Sequence, residues 1–218
     1  MERDRFLSRV GQAARQSLVP PSPQTITVVP PADDVDLLGL FTERATAVNA
    51  RVHGPVSAAG APSLVADIVS GHGCESFLAW DDLPAPGVAA SLGAIGCGRI
   101  SHDVDAGDRL EHQLGYRHVD CGVTGADAGL AESGSVVLVH GAGRPRMASL
   151  VPEIHIALLV TDLIDQSLAH WAQRHPDLVT TTANLVIVSG PSRTGDIELQ
   201  LNLGVHGPRI VHIVLIER

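Results

Sequence analysis

Three stretches of the chain gather residue types capable of chemistry. The first is Thr124-Gly125-Ala126-Asp127-Ala128-Gly129-Leu130-Ala131-Glu132-Ser133-Gly134-Ser135, running directly into an apolar segment. Alanine, leucine and acidic residues suit a short helix there, and Ser133-Gly134 suits a sharp exit. On such a helix Asp127 and Glu132 point in different directions, so they do not form an acid/base dyad. Glu132 at the junction of helix and strand would stand at the mouth of a cleft, as base or nucleophile. The plainer alternative is a helix-end carboxylate bonded to local backbone.

The second stretch is Ser189-Gly190-Pro191-Ser192-Arg193-Thr194-Gly195-Asp196-Ile197-Glu198. It follows the apolar run Leu185–Ser189, so it is expected at the carboxyl end of a buried strand, where open α/β sheets bind ligands. Gly190 and Pro191 turn the chain. Ser192 or Thr194 can cap a following helix, with Asp196 or Glu198 near its first turn. A helix N-terminus with Arg193 beside it suits a carboxylate or phosphate. The alternative is an ordinary cap with Arg193 paired to a nearby acid. The third stretch, Gly204-Val205-His206-Gly207-Pro208-Arg209, is a tight turn before the last apolar run. There His206 has room to reach a substrate and titrates near neutrality, or is simply an exposed loop histidine. Together the three stretches are expected to converge on a single anion-receiving crevice.

Other chemistries are missing from the sequence. All 15 basic residues are arginine, so Schiff-base, P-loop and protein-kinase lysines are excluded. No G-x-G-x-x-G, G-x-S-x-G or H-E-x-x-H occurs. Cys74, Cys97 and Cys121 are widely spaced without C-x-x-C, which argues against a disulfide framework, a zinc ribbon or an iron–sulfur cluster ligated by this chain alone. The histidines show no metal-ligand spacing, so no metal site is expected. His155 and His212, inside apolar runs, read as core histidines.

The elements that must position these residues follow from periodicity. Apolar runs at Val136–His140, Ile154–Val160, Leu185–Ser189 and Ile210–Ile216 look like doubly covered strands. A helix capped near Thr161 is expected between them, with Leu163, Ile164, Leu168 and Trp171 on one face and Arg174 and His175 in its last turn. Strands alternating with helices predict an α/β fold with a mostly parallel sheet covered by helices. Upstream, the first twenty residues predict an amphipathic helix bearing Phe6, Leu7, Val10, Ala14 and Leu18. A strand is expected at Thr25–Val29, and a helix from Asp33 or Asp34 through Val52, ending at Gly54-Pro55. A shorter helix from Ser63 to Val69 and a strand at Phe77–Trp80 follow. Residues 81–110 read as loops with one buried strand at Val88–Ile95. Residues 1–80 thus form an N-terminal helical and α/β lead-in packed on a core spanning 81–218, as one compact domain overall.

The 218 residues are 44% hydrophobic and 18% charged, enough to bury one sizeable core. The net charge of −9 and the 3% aromatic content oppose nucleic-acid binding and offer no base-stacking platform. The first residues, Met1-Glu2-Arg3-Asp4-Arg5, lead into no apolar signal-peptide core. No apolar run reaches the ~18 residues of a membrane span. The cytoplasm is the expected compartment, with no membrane partner.

Gly125-Ala126-Asp127, Ala131-Glu132-Ser133-Gly134, Pro152-Glu153-Ile154-His155, Gly190 through Glu198 and Gly204-Val205-His206-Gly207-Pro208 stand in an order that resembles the LUD-domain family, specifically its lactate utilization protein C type. The resemblance covers mainly residues 115–218. Gly195 stands where alanine is common in the family, and Ser133 where threonine is common. The resemblance implies a fold like the sugar-phosphate isomerase and CoA-transferase group. It also implies a part in bacterial oxidation of L-lactate to pyruvate, with partner proteins that carry iron–sulfur clusters. It brings no catalytic residues with it. Lactate oxidation must deliver two electrons, and this sequence has no flavin, nicotinamide or cluster motif to receive them. An accessory, non-redox subunit is therefore expected, holding no cofactor of its own and binding a small carboxylate or phosphorylated ligand. The alternatives are a stand-alone acyl- or CoA-transferase-like enzyme with Glu132 as nucleophile and Arg193 as anion clamp, a small-anion-binding protein, and a structural or regulatory module.

Overall fold

The computed structural model describes residues 3–16, 35–102, 115–178, 182, 184–195, 201–203 and 206–217. Its backbone divides into two units, Met1–Pro30 and Pro31–Arg218. The first contains helix α1, Arg3–Gln16, whose Phe6, Leu7 and Val10 are exposed. The expected strand at Thr25–Val29 and Leu18 lie outside the described residues.

The second unit opens with α2, Leu37–Ala47. Asp36, rather than Asp33 or Asp34, caps it by accepting a hydrogen bond from the Gly39 amide at 2.9 Å. The expected continuation to Val52 does not form. Asn49 takes a positive φ of 66°, and Arg51–Ser57 becomes strand β1, paired along β12 (Ile210–Glu217). Helix α3, Ala61–Gly71, leads to β2, Ser76–Ala79. Val88–Ala94, expected as a strand, is helix α4. Its Val88 and Leu92, one turn apart, bury one face in the same apolar cluster as Val65 and Val69 of α3. Strands β3 (Gly98–Arg99), β4 (Cys121–Gly125) and β7 (Ile154–Val160) complete a six-stranded sheet in the order β1-β12-β7-β4-β2-β3. Every neighbouring pair in it is parallel.

The near-continuous Val/Ile/Leu runs of β7 and β12 exist because both faces of this sheet are covered. On one face Ile154, Ile156, Leu158, Val214 and Ile216 meet α3 and α4. On the other, Ala157, Leu159, Ile213 and Leu215 meet Phe41 and Ala45 of α2 and a second sheet. Burying Phe41 completely contributes about 2–3 kcal/mol.

That second sheet is where the sequence reading needs most correction. Residues 124–135 form no helix. β4 runs on through a bend at Asp127 into β5, Ala128–Leu130, then a turn at 131–134, then β6, Ser135–His140. β5 and β6 pair antiparallel, and the sheet order is β8-β5-β6-β9, with β8 at Ile164–Asp165 and β9 at Asn184–Val188. β6 and β9 are therefore antiparallel strands of this smaller sheet rather than members of the parallel one. Packing overrides the helix propensity of the Ala/Gly-rich stretch. At Gly134 (φ +64°) any Cβ would overlap the backbone of α2 at Ala45. Between β4 and β7 lies the short helix α5, Met147–Leu150, whose Ala148 carbonyl presses on Gly122. The helix expected from Thr161 starts later. Thr161–Leu163 is a 3-10 turn, and α6 spans Leu168–Arg174, capped by Ser167. Its Trp171 closes the outer face of the small sheet over Val137. Finally, Arg193–Gly195 is strand β10 of a hairpin with β11, Leu201–Leu203, where a helix start was expected. No helix among the described residues is long and apolar enough to cross a membrane.

Candidate functional site at the amino edge of the parallel sheet

In a parallel sheet all strands start on the same side, so the segments preceding them gather along one edge. Here those segments carry arginine and histidine. Arg51 opens β1, and Arg209 immediately precedes β12. Arg193 arrives from the small sheet, because Gly190 turns with φ +70° against the Val48 carbonyl, where any Cβ would collide. The arriving loop is tied down by backbone bonds from Ser192 N to Pro208 O and from Arg209 N to Glu153 O, both 2.8 Å. Arg193 donates to the Val48 carbonyl at 3.3 Å, and Arg209 to Glu153 Oε1 at 3.1 Å.

The result is a hollow of about 430 Å³ lined by Thr46, Asn49, Ala50, Arg51, Pro191, Arg193, Arg209 and Ile210. Three guanidinium groups border it, and among the described residues no carboxylate does. Among the described residues, Arg209 is the one of the three with a carboxylate bonded to it, that of Glu153, which lines the neighbouring hollow. Arg209 also borders that second, larger hollow of about 830 Å³, which contains His72, Cys74, Arg117, His118, Asp120 and Gly207. Planar guanidinium groups bind carboxylate and phosphate bidentately, so the lining of the smaller hollow is chemically suited to an anion.

Behind Arg51 runs a chain of imidazoles. His212 Nδ1 lies 2.8 Å from His53 Nε2, and His212 Nε2 lies 3.0 Å from His72 Nε2. Arg51 approaches His72 Nε2 at 3.5 Å. Each of the two His–His contacts joins one N–H donor to one ring-nitrogen acceptor, so the three rings' tautomers are linked through His212. Burial, then the neighbouring His53, His72 and Arg51, push the His212 pKa down to about 3. Burial and Arg51 lower that of His53. Both rings are neutral at pH 7. The second core histidine, His155, is fully buried on β7, and Thr124 Oγ1 is 2.9 Å from its Nε2.

The carboxyl edge of the sheet is occupied by charges that satisfy one another. Asp81 binds Arg99 at 2.6 Å and His102 at 3.1 Å. Arg144 bridges Asp82 (2.5 Å) and Asp127 (2.8 Å) and stacks over Trp80 at 4.9 Å. Residues 189–195 do not reach this edge as expected, because β9, which they follow, does not belong to the parallel sheet; residues 196–198 lie outside the described residues.

Of the residues singled out in the sequence, Gly190, Ser192 and Arg193 meet the 206–209 turn at the amino edge. A Cβ at Gly207 would lie 3.2 Å from that of Ser192. His206 is exposed, and Gly207 rather than His206 lines the larger hollow. Thr194 pairs through its backbone with Asn202 in the β10–β11 hairpin, in place of the helix cap. Asp196 and Glu198 lie outside the described residues. Glu132 does not join the others. It sits in the 131–134 turn, where its carboxylate accepts from Gln166 Nε2 at 3.0 Å and its amide donates to Gln166 O at 2.9 Å. There it borders a separate hollow with Ser133, Ser135, Ser167 and Ser189. Sequence reasoning missed Arg51, Asn49 and Arg209 as lining residues. The available signal was an arginine at the start of each of two neighbouring parallel strands, Arg51 as the first residue of β1 and Arg209 just before β12. Among the described residues no group of three or more His, Cys, Asp or Glu side chains could hold a metal ion.

Comparison with known proteins places this architecture. The chain is 36% identical to lactate utilization protein C of Halalkalibacterium halodurans over 123 residues, 53% of this chain and 52% of that protein. It is 37% identical to an uncharacterized protein of Neisseria meningitidis over 103 residues, 46% of this chain and 44% of that protein. The matched region thus spans about half the length of these relatives. A crystal structure of a DUF162 family protein from Deinococcus radiodurans shares the fold with a TM-score of 0.64 at 21% identity, covering 85% of this chain and 99% of that one. The LUD domain model matches residues 38–216, which take in the six-stranded and four-stranded sheets and the two hollows that Arg209 borders. The chain belongs to the LUD domain family.

Proposed function

We propose that this protein is an anion-binding, non-redox subunit of a bacterial system that oxidises L-lactate to pyruvate, acting beside iron–sulfur partner proteins. The observation that carries the reading is the convergence of Arg51, Arg193 and Arg209 on one hollow, in a chain whose net charge is −9. The names of its relatives supply the lactate context. A small carboxylate or a phosphoryl group suits the three guanidiniums, and the partners carry the electrons. Such a subunit can hold substrate or product while redox chemistry occurs elsewhere.

The test is calorimetric titration of the purified protein with L-lactate, pyruvate, inorganic phosphate and coenzyme A, in parallel with Arg51→Ala and Arg193→Ala. One of these anions is expected to bind, and each substitution to weaken it about tenfold, about 1.4 kcal/mol. Equal affinity in both variants removes the assignment of this hollow. Unchanged growth on lactate after gene deletion removes the physiological role. The transferase reading needs a nucleophile and an anion clamp in one cleft. Glu132 and Arg193 border different hollows, so a covalent acyl adduct abolished by Glu132→Gln is the result that would revive it.

A further inference from the structure

Three cysteines separated widely in sequence meet at the amino edge of β2, β3 and β4, and they are placed unequally. Cys74 is half-buried and borders the 830 Å³ hollow, within reach of small solutes. Cys121, the first residue of β4, and Cys97, just before β3, are buried in the apolar cluster under α3 and α4. The segments bearing Cys74 and Cys121 are clamped by one side chain. Asp120 Oδ2 accepts from the amides of Glu75 and Ser76 and from Ser76 Oγ, each at 2.9 Å. This clamp holds the residue after Cys74 against the residue before Cys121, and the Cys121 thiol is the strongest neighbouring influence on Cys74.

We propose that Cys74 and Cys121 form a peroxide-oxidisable dithiol, with Cys74 the attacking sulfur and Cys121 the resolving one. The neighbouring Cys121 thiol favours the Cys74 thiolate, lowering its pKa against the opposing effects of burial and of Asp120 and Glu153. The same proximity and burial strongly raise that of Cys121, so the roles do not interchange. At Cys97 burial pushes the thiol up to about 11. The Cys74 sulfur attacks one oxygen of a hydroperoxide. The O–O bond breaks, and water (an alcohol, from an organic peroxide) leaves behind a sulfenic acid. The Cys121 sulfur then attacks the Cys74 sulfur, the S–O bond breaks, a second water leaves and the S–S bond forms. Two thiols give up two electrons and two protons, and the peroxide accepts both. This chemistry is independent of the anion reading, since it needs no bound ligand.

The test uses the reduced full-length protein treated with hydrogen peroxide, alkylated and mapped by mass spectrometry without reductant. The expected product is a Cys74–Cys121 cross-linked peptide pair, two hydrogens lighter than the free peptides and restored by dithiothreitol, with Cys97 still alkylated. Cys97→Ser is expected to form the same bond. Cys121→Ser is expected to stop at a Cys74 sulfenic acid that dimedone traps. A bond from Cys74 to Cys97, a bond between two chains, accumulation of Cys74 sulfinic acid in the wild type, or three unreacted thiols each overturns the proposal. The wild-type map decides the matter even if a variant fails to fold.

Discussion

Acid should unfold this protein through two buried histidines. His155 is fully buried and His212 is 3% exposed, each on a central strand of the parallel sheet. Burial first, and the nearby His140 second, hold the His155 pKa at about 4, and His212 lies at about 3. In the unfolded chain both return to about 6.5. Below pH 6.5 the unfolded state therefore takes up protons that the folded state refuses, so stability falls as pH falls. It is fully present above 6.5 and declines until pH reaches about 4 for His155 and about 3 for His212. Each pH unit inside that window costs up to about 1.4 kcal/mol per group. From pH 7 to pH 5 each histidine should cost about 2 kcal/mol, about 4 kcal/mol together, a large share of a typical domain's stability. His53 adds in the same direction. The assay is urea unfolding at pH 7, 6 and 5, followed by far-ultraviolet circular dichroism, for wild type, His155→Gln and His212→Gln. Glutamine keeps a polar partner for Thr124 in the first variant and for His53 and His72 in the second. Whatever each variant costs at pH 7, its loss between pH 7 and 5 should be smaller than that of wild type by about 2 kcal/mol. Parallel pH curves for wild type and both variants would refute the reasoning.

Gly134→Ala forces a side chain at φ +64° into the backbone of α2, so it should destabilise by about 3 kcal/mol in thermal or urea melts. Arg144→Met removes the bridge between Asp82 and Asp127 and the cation over Trp80, and should cost about 1–2 kcal/mol. It should also shift the tryptophan emission at low salt, which a fluorescence spectrum reads directly.

The strands β7 and β12 are legible in the sequence because a segment covered on both faces must be apolar at every position, and few other structures ask for that. The parallel α/β class follows from such runs alternating with helices. The N-terminal helix is likewise visible in its 3–4 spacing, and β2 in its short apolar run. Residues 124–135 were not legible. Small residues there read as helix formers, whereas their smallness serves close approach: Gly129 faces Phe41, Leu159 and Ile164, and Gly134 faces α2. Val88–Ala94 misled for the opposite reason, since a short apolar run fits a strand until α3 presents a helical groove for it.

The candidate site divides along the same line. The sequence by itself determined that a lysine-free, acidic chain carries a Gly-Pro-Ser-Arg turn and a Gly-Val-His-Gly-Pro turn next to apolar strands, and that arginine is its one permanently cationic side chain. Only the tertiary structure decided which arginines meet. Arg51, Arg193 and Arg209 belong to distant parts of the chain and become neighbours because parallel pairing aligns the starts of β1 and β12, while the β9–β10 connection crosses to the same edge. It also separated Glu132 from them, because the tight β5–β6 turn holds that carboxylate against Gln166. Strand register and sheet order are long-range choices, settled by the burial of whole faces, and no local spacing encodes them.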